Sequence, residues 1–149
     1  MTARRPSIFT QMGGEDAIRA LVKAFYDIVE SDPAAKPLHD LHLGRFGMDH
    51  IRAAQFDFLC GFFGGPRYYV ERHGHSNLRD IHAHLSFGEA EARIWLGCMA
   101  RTLERSGVPE GVKPRIMAGF TTAARVLVEQ SRQRELAASP ARREETTPG

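Results

Sequence analysis

Residues 64–88, GGPRYYVERHGHSNLRDIHAHLSFG, decide how the chain is read. They hold four of its seven histidines, behind a Gly64-Gly65-Pro66 hinge and a Tyr68-Tyr69 pair. On composition alone such a run is a polar surface loop, and Arg67–His75 reads that way, with Arg67–Glu71 possible as an extended piece. Periodicity says more about the residues beyond Ser76. From Asn77, the residues Leu78, Ile81, His82 and Leu85 recur at i, i+3, i+4 and i+7, within about 100° of helical arc. The spacing predicts a short helix with His82 on its buried face and His84 outside.

Helical patterns flank this stretch on both sides. Gly13-Gly14 break the chain after a leader, residues 1–12, in which Ile8, Phe9 and Met12 are candidates to pack back. Glu15 and Asp16 then place negative charge at a helix N-terminus. Ile18, Leu21, Val22, Phe25, Tyr26, Ile28 and Val29 continue at helical spacing to about Glu30, where Ser31-Asp32-Pro33 stop the helix. Tyr26 follows Ile18 and Val22 in steps of four, so its ring faces inward, and its hydroxyl needs a backbone or ligand partner there. Residues 33–48 read as irregular, with a helical turn near Lys36–Leu41 and His42 half-buried between two leucines.

A second helix spans about Met48 to Phe63, with Ile51, Gln55, Phe58 and Phe62 on one face. Gln55 is the oddity, because an unpaired buried amide costs about 1–3 kcal/mol. It either pairs internally or faces a polar ligand. Gly64-Gly65-Pro66 ends this helix. Ser86-x-x-Glu89 has the form of a capping box for a helix to about Arg105 that carries Trp95, Cys98, Met99 and Thr102 on one side. A last helix, near Pro114–Glu135, turns Ile116, Phe120, Ala123, Ala124, Leu127 and Val128 inward. Residues 136–149 read as a disordered tail. The sum is an all-α fold with one domain over 13–135.

The 149 residues, 42% hydrophobic and 26% charged, suit a single globular core. A net charge of +2, dispersed among acids, offers no nucleic-acid stripe. Cys60 and Cys98 lie in separate apolar segments, as buried reduced thiols do. No apolar run reaches the roughly 18 residues of a membrane span. The basic N-terminus lacks the apolar core of a secretory signal. The expected compartment is the cytoplasm.

P-loop, strand-linked GxGxxG, G-x-S-x-G and H-E-x-x-H motifs are all absent. His73-x-His75 and His82-x-His84, with Glu71 or Asp80, leave open a zinc, nickel or iron cluster, although helical geometry splays His82 and His84 apart. A satisfied core histidine in a cofactor-free domain is the plain alternative.

The order GGP…Y…GH..LR..HA…WL.CM is more specific than any one histidine. With Gly13-Gly14 and Phe25-Tyr26, it resembles the truncated haemoglobins of the second group across residues 12–132. The resemblance implies a two-over-two helical sandwich around haem b, with His82 as the proximal iron ligand. It further implies Tyr26, His42, Gln55 and Trp95 on the distal, ligand-binding side, and His75, Arg79, Tyr69, Phe58, Phe62, Leu78 and Met99 as haem contacts. The chain departs from the group at Ile81, where an arginine is usual, and at His84-Leu85, where Pro-Phe is usual.

So many distal donors imply O2 binding, with NO and CO as further ligands, and slow release or redox work rather than transport. NO oxidation and peroxidase-like chemistry are the expected reactions, with a separate reductase returning the iron to its ferrous state. A haem-based gas sensor is the alternative, and a monomer or homodimer the expected assembly.

Overall fold

The computed structural model describes residues 6–43, 47–83 and 86–138, the side chains of residues 41–43 excepted. Expectations for His42, His84, Leu85 and the tail beyond Ala138 fall outside the described residues. Every element among the described residues is helical. They are α1 (Ile8–Met12), α2 (Gly14–Ser31), a 3-10 turn (Pro33–Ala35), α3 (Lys36–Leu43), α4 (Met48–Phe62), α5 (Tyr68–His73), α6 (Leu78–Ile81), α7 (Glu89–Glu104) and α8 (Lys113–Ala137).

The leader is built into the fold. Ser7 accepts the Thr10 amide at 3.1 Å to start α1, and Met12 is buried. Gly13, at φ +119, ends α1 and opens α2 in a backbone conformation that side chains disfavour. α2 buries Ile18, Leu21, Val22, Phe25, Tyr26 and Val29, the stripe the periodicity gives. It packs on α4 and on α7, and α7 packs on α8. Two helix pairs, α2/α4 and α7/α8, thus form a two-over-two sandwich. α1 lies against α2, α5 against α4, and α6 against α8. Cys60 and Cys98 are buried free thiols.

Four local expectations are corrected. Residues 33–43 are helical rather than irregular: the Asp32 carboxylate caps the Ala34 amide at 2.9 Å, and Ala35 and Leu38 are buried. Residues 68–73 form α5 rather than a loop or strand. Tyr68 donates to Glu15 on α2, and Arg72 pairs at 2.8 Å with Asp57, a buried carboxylate on α4. The histidine helix stops at Ile81, so His82 caps it instead of lying within it. Such a short helix is marginal alone, and it packs against α8. The Ser86–Glu89 box does not form. Phe87 is buried and gives its N–H to Ser131 Oγ at 3.0 Å, so Gly88 becomes the N-cap of α7.

Candidate functional site

A slot opens between α4 and the α6–α8 side. Gln55, Phe58, Leu59 and Phe62 line it from α4, and Phe120, Ala123, Ala124 and Leu127 from α8. Both sets follow i, i+3, i+4, i+7, so each is one helical stripe. Leu78, His82, Phe87 and Trp95 complete the lining. Its unfilled volume, mouth and adjoining solvent included, is about 640 Å³.

His82 is half-buried in the slot wall. Its Nδ1 lies 2.9 Å from the Leu78 carbonyl oxygen. A carbonyl only accepts, so Nδ1 carries the proton and Nε2 holds the lone pair. That is the tautomer of a metal-ligating histidine, whose other N–H is fixed by a backbone carbonyl.

Aromatic rings run inward from the slot mouth. Phe62, at 38% exposure the barest large aromatic described, stacks on Phe120 at 5.6 Å and 4°. Trp95 meets Phe120 edge-on at 4.8 Å and Phe25 at 5.1 Å. Phe25 in turn meets Tyr26 at 4.9 Å. Tyr26 is wholly buried and lies off the slot lining. Burial pushes its phenol well above the ordinary value, with the nearby Arg52 charge acting the other way. Arg52 lies over the Tyr26 ring at 5.8 Å, tethered by Asp27 at 3.0 Å and Glu30 at 3.1 Å.

Of the residues singled out in the sequence, the slot gathers His82, Gln55, Trp95, Phe58, Phe62 and Leu78. Five others lie off its lining, Tyr26 among them. Tyr69 packs behind Phe58, at 5.8 Å, and against His73 at 4.2 Å. Met99 is buried in the core, since the stripe it shares on α7 with Cys98 and Thr102 is fully covered. His75 is exposed, its Nδ1 accepting the Asn77 amide at 3.1 Å. Arg79 is exposed too, and its carbonyl accepts from Gln130 at 2.9 Å.

Leu59 and the α8 stripe were visible as apolar faces without a stated role. Phe87 carried no signal, because its place comes from the bond to Ser131. Among the described residues no three His, Cys, Asp or Glu side chains come together to hold a metal. The slot itself fits haem. Its walls are apolar and aromatic, and one imidazole stands in the wall.

The Bacterial-like globin model matches residues 7–128. The group 2 truncated hemoglobin YjbI of Bacillus subtilis is 32% identical over 120 residues, 79% of this chain and 86% of that protein. Among solved structures, the group II 2-on-2 hemoglobin of Agrobacterium tumefaciens superposes with a TM-score of 0.77 at 29% identity, covering 85% of this chain and 97% of that one. The truncated oxygen-avid haemoglobin of Bacillus subtilis superposes at 0.70 with 29% identity, covering 83% and 99%.

Proposed function

Because the chain belongs to the bacterial-like globin family, as a truncated haemoglobin of the group II type, we propose that it holds haem b in the slot through His82 and retains O2 there for slow release or redox turnover. Family membership itself implies haem-based gas binding. The observation that carries the finer reading is His82 in the slot wall with its Nδ1 proton given to Leu78.

When bound, haem supplies an iron centre that takes O2, NO or CO. The chain's residues do the rest. His82 presents a neutral Nε2, and the Leu78 carbonyl fixes the ring's rotation. Phe58, Phe62, Leu78, Phe87 and Leu127 exclude water. The Gln55 amide and Trp95 indole bring N–H donors to an otherwise apolar slot. Donors aimed at a diatomic ligand that gains negative charge strengthen its hold and slow its departure. Tyr26, kept protonated by burial, and His42 belong to the same network in this reading.

Several donors around one small ligand suit retention, and the oxygen-avid description of the Bacillus subtilis structure supports that choice over transport. With an external reductase in the cytoplasm, the same retention serves NO oxidation or peroxide turnover.

Stopped-flow O2 dissociation from the ferrous protein tests the reading. Gln55→Leu, Trp95→Phe and Tyr26→Phe each remove one donor. Each should speed release, by roughly tenfold where a charge-assisted bond is lost. Rates unchanged in all three variants would remove the polar-pocket reading.

A further inference from the structure

A single-turn helix has few internal hydrogen bonds to hold its shape, yet α6 carries His82 at its end. The Leu78 carbonyl takes the His82 amide at 3.2 Å and the ring Nδ1–H at 2.9 Å. The Asp80 carbonyl takes the Ala83 amide at 3.3 Å. Asn77 accepts the Ile81 amide on its carbonyl at 3.0 Å and the Arg79 and Asp80 amides on its Oδ1, and further bonds come from another element.

On α8, Gln130 Nε2 donates to the Arg79 carbonyl at 2.9 Å, three residues before His82. The Arg134 guanidinium donates to the Ala83 carbonyl, one residue after it. Ser131 Oγ, buried, accepts the Phe87 amide at 3.0 Å, where the chain leaves toward α7. These three side chains occupy one patch of α8, starting just past Leu127, the last α8 residue lining the slot. Apart from a 3.5 Å contact of Arg134 with the Ser86 hydroxyl, their targets are backbone atoms, so the grip does not depend on which side chains α6 carries. Arg79 and Ala83 are themselves exposed and supply no apolar anchor.

We infer that Gln130, Ser131 and Arg134 are positioning residues for His82: the far half of α8 fixes the height and rotation of the imidazole in the slot wall, and through them the strength of its bond to haem iron. The inference rests on the axial role proposed for His82. α8 therefore serves twice, as slot wall and as clamp on the ligand segment.

The test is the iron–histidine stretch in resonance Raman spectra of the ferrous, haem-loaded full chain, together with the rate of haem transfer to a scavenging apo-globin. Arg134→Ala should shift and broaden the stretch, and Arg134→Lys, which keeps a donor, should return it toward wild type. The Gln130→Ala/Arg134→Ala pair should release haem roughly tenfold faster, as expected for two lost hydrogen bonds. Arg132→Ala and Gln133→Ala, at exposed neighbouring positions, should leave the stretch unmoved.

An unmoved stretch in Arg134→Ala and Gln130→Ala overturns the inference even if stability falls, and these single variants decide the matter if the pair does not fold. His82→Gly separates the two claims. A stretch that persists in His82→Gly overturns the axial assignment itself. A stretch that His82→Gly abolishes and the α8 variants leave unmoved overturns the clamp alone.

Discussion

The proton on the His82 ring is placed by a backbone atom, the Leu78 carbonyl at 2.9 Å, so the tautomer survives any change of side chain at Leu78. Tyr26 is the other residue whose protonation matters, and burial makes the outcome testable. Its phenol is pushed above the ordinary 10.0 in the fold, while the unfolded chain ionises at that value. Above pH 10.0 the unfolded state thus binds fewer protons, and stability falls as pH rises, by at most about 1.36 kcal/mol per pH unit for this group. Below pH 10.0 the contribution is complete. Cys60, raised from 9.0 to about 11 by burial, acts with the same sign between those values. Urea denaturation across pH 10.0 should therefore show a shallower loss in Tyr26→Phe than in wild type, and parallel curves would contradict the assignment. Gly65 gives a second residue-scale expectation. A Cβ there would meet the Phe9 ring at 2.5 Å. Gly65→Ala should cost about 1–3 kcal/mol in thermal or urea unfolding, as overpacking does, and Phe9→Leu in the same chain should recover part of it. Gln55 was legible at this scale, as an amide on an apolar stripe. The inward direction of Tyr26 was legible too, but not that its ring would pack edge-on against Phe25 off the slot lining.

At the scale of elements, legibility depends on length. α2, α4, α7 and α8 have enough turns for a 3.6-residue period to declare a buried face, and their boundaries lie within a few residues of those the sequence suggests. The short elements do not declare themselves. α5 owes its form to Tyr68–Glu15 and Arg72–Asp57, partners 53 and 15 residues away. At the end of α6, Arg134, 51 residues on, donates to the Ala83 carbonyl. No local pattern reports such bonds. The one local device at α6 is Asn77, whose Oδ1 accepts from the Arg79 amide at 3.0 Å and the Asp80 amide at 3.3 Å. Asn77→Ala should therefore destabilise the fold by about 1 kcal/mol, a typical cap loss. It should also hasten haem loss, because the element it starts is the one that carries His82. A variant with wild-type haem retention would mean that the α8 contacts alone suffice to hold α6.

The whole molecule reads as two helix pairs with an apolar slot to which α6 alone of the short elements contributes, and this is why the sequence revealed its class before its details. The order of motifs spans the chain, and the family match from residue 7 to 128 begins inside the leader, where α1 packs against α2. Among the described residues, no helix is long and apolar enough to cross a membrane. In the proposed reading the cofactor is held by the coincidence of three things no single element holds: the α4 stripe, the α8 stripe and one oriented imidazole. The most direct measurement is the absorption spectrum of ferric, ferrous and CO forms for the wild type and for His82→Ala. The account predicts a haem-saturated wild type with an intense Soret band and histidine-ligated ferrous spectra, and a His82→Ala protein that folds but loses the haem or its histidine coordination. A wild type that purifies without a Soret band and takes up no added haem, or a His82→Ala protein with unchanged spectra in all three forms, would contradict it.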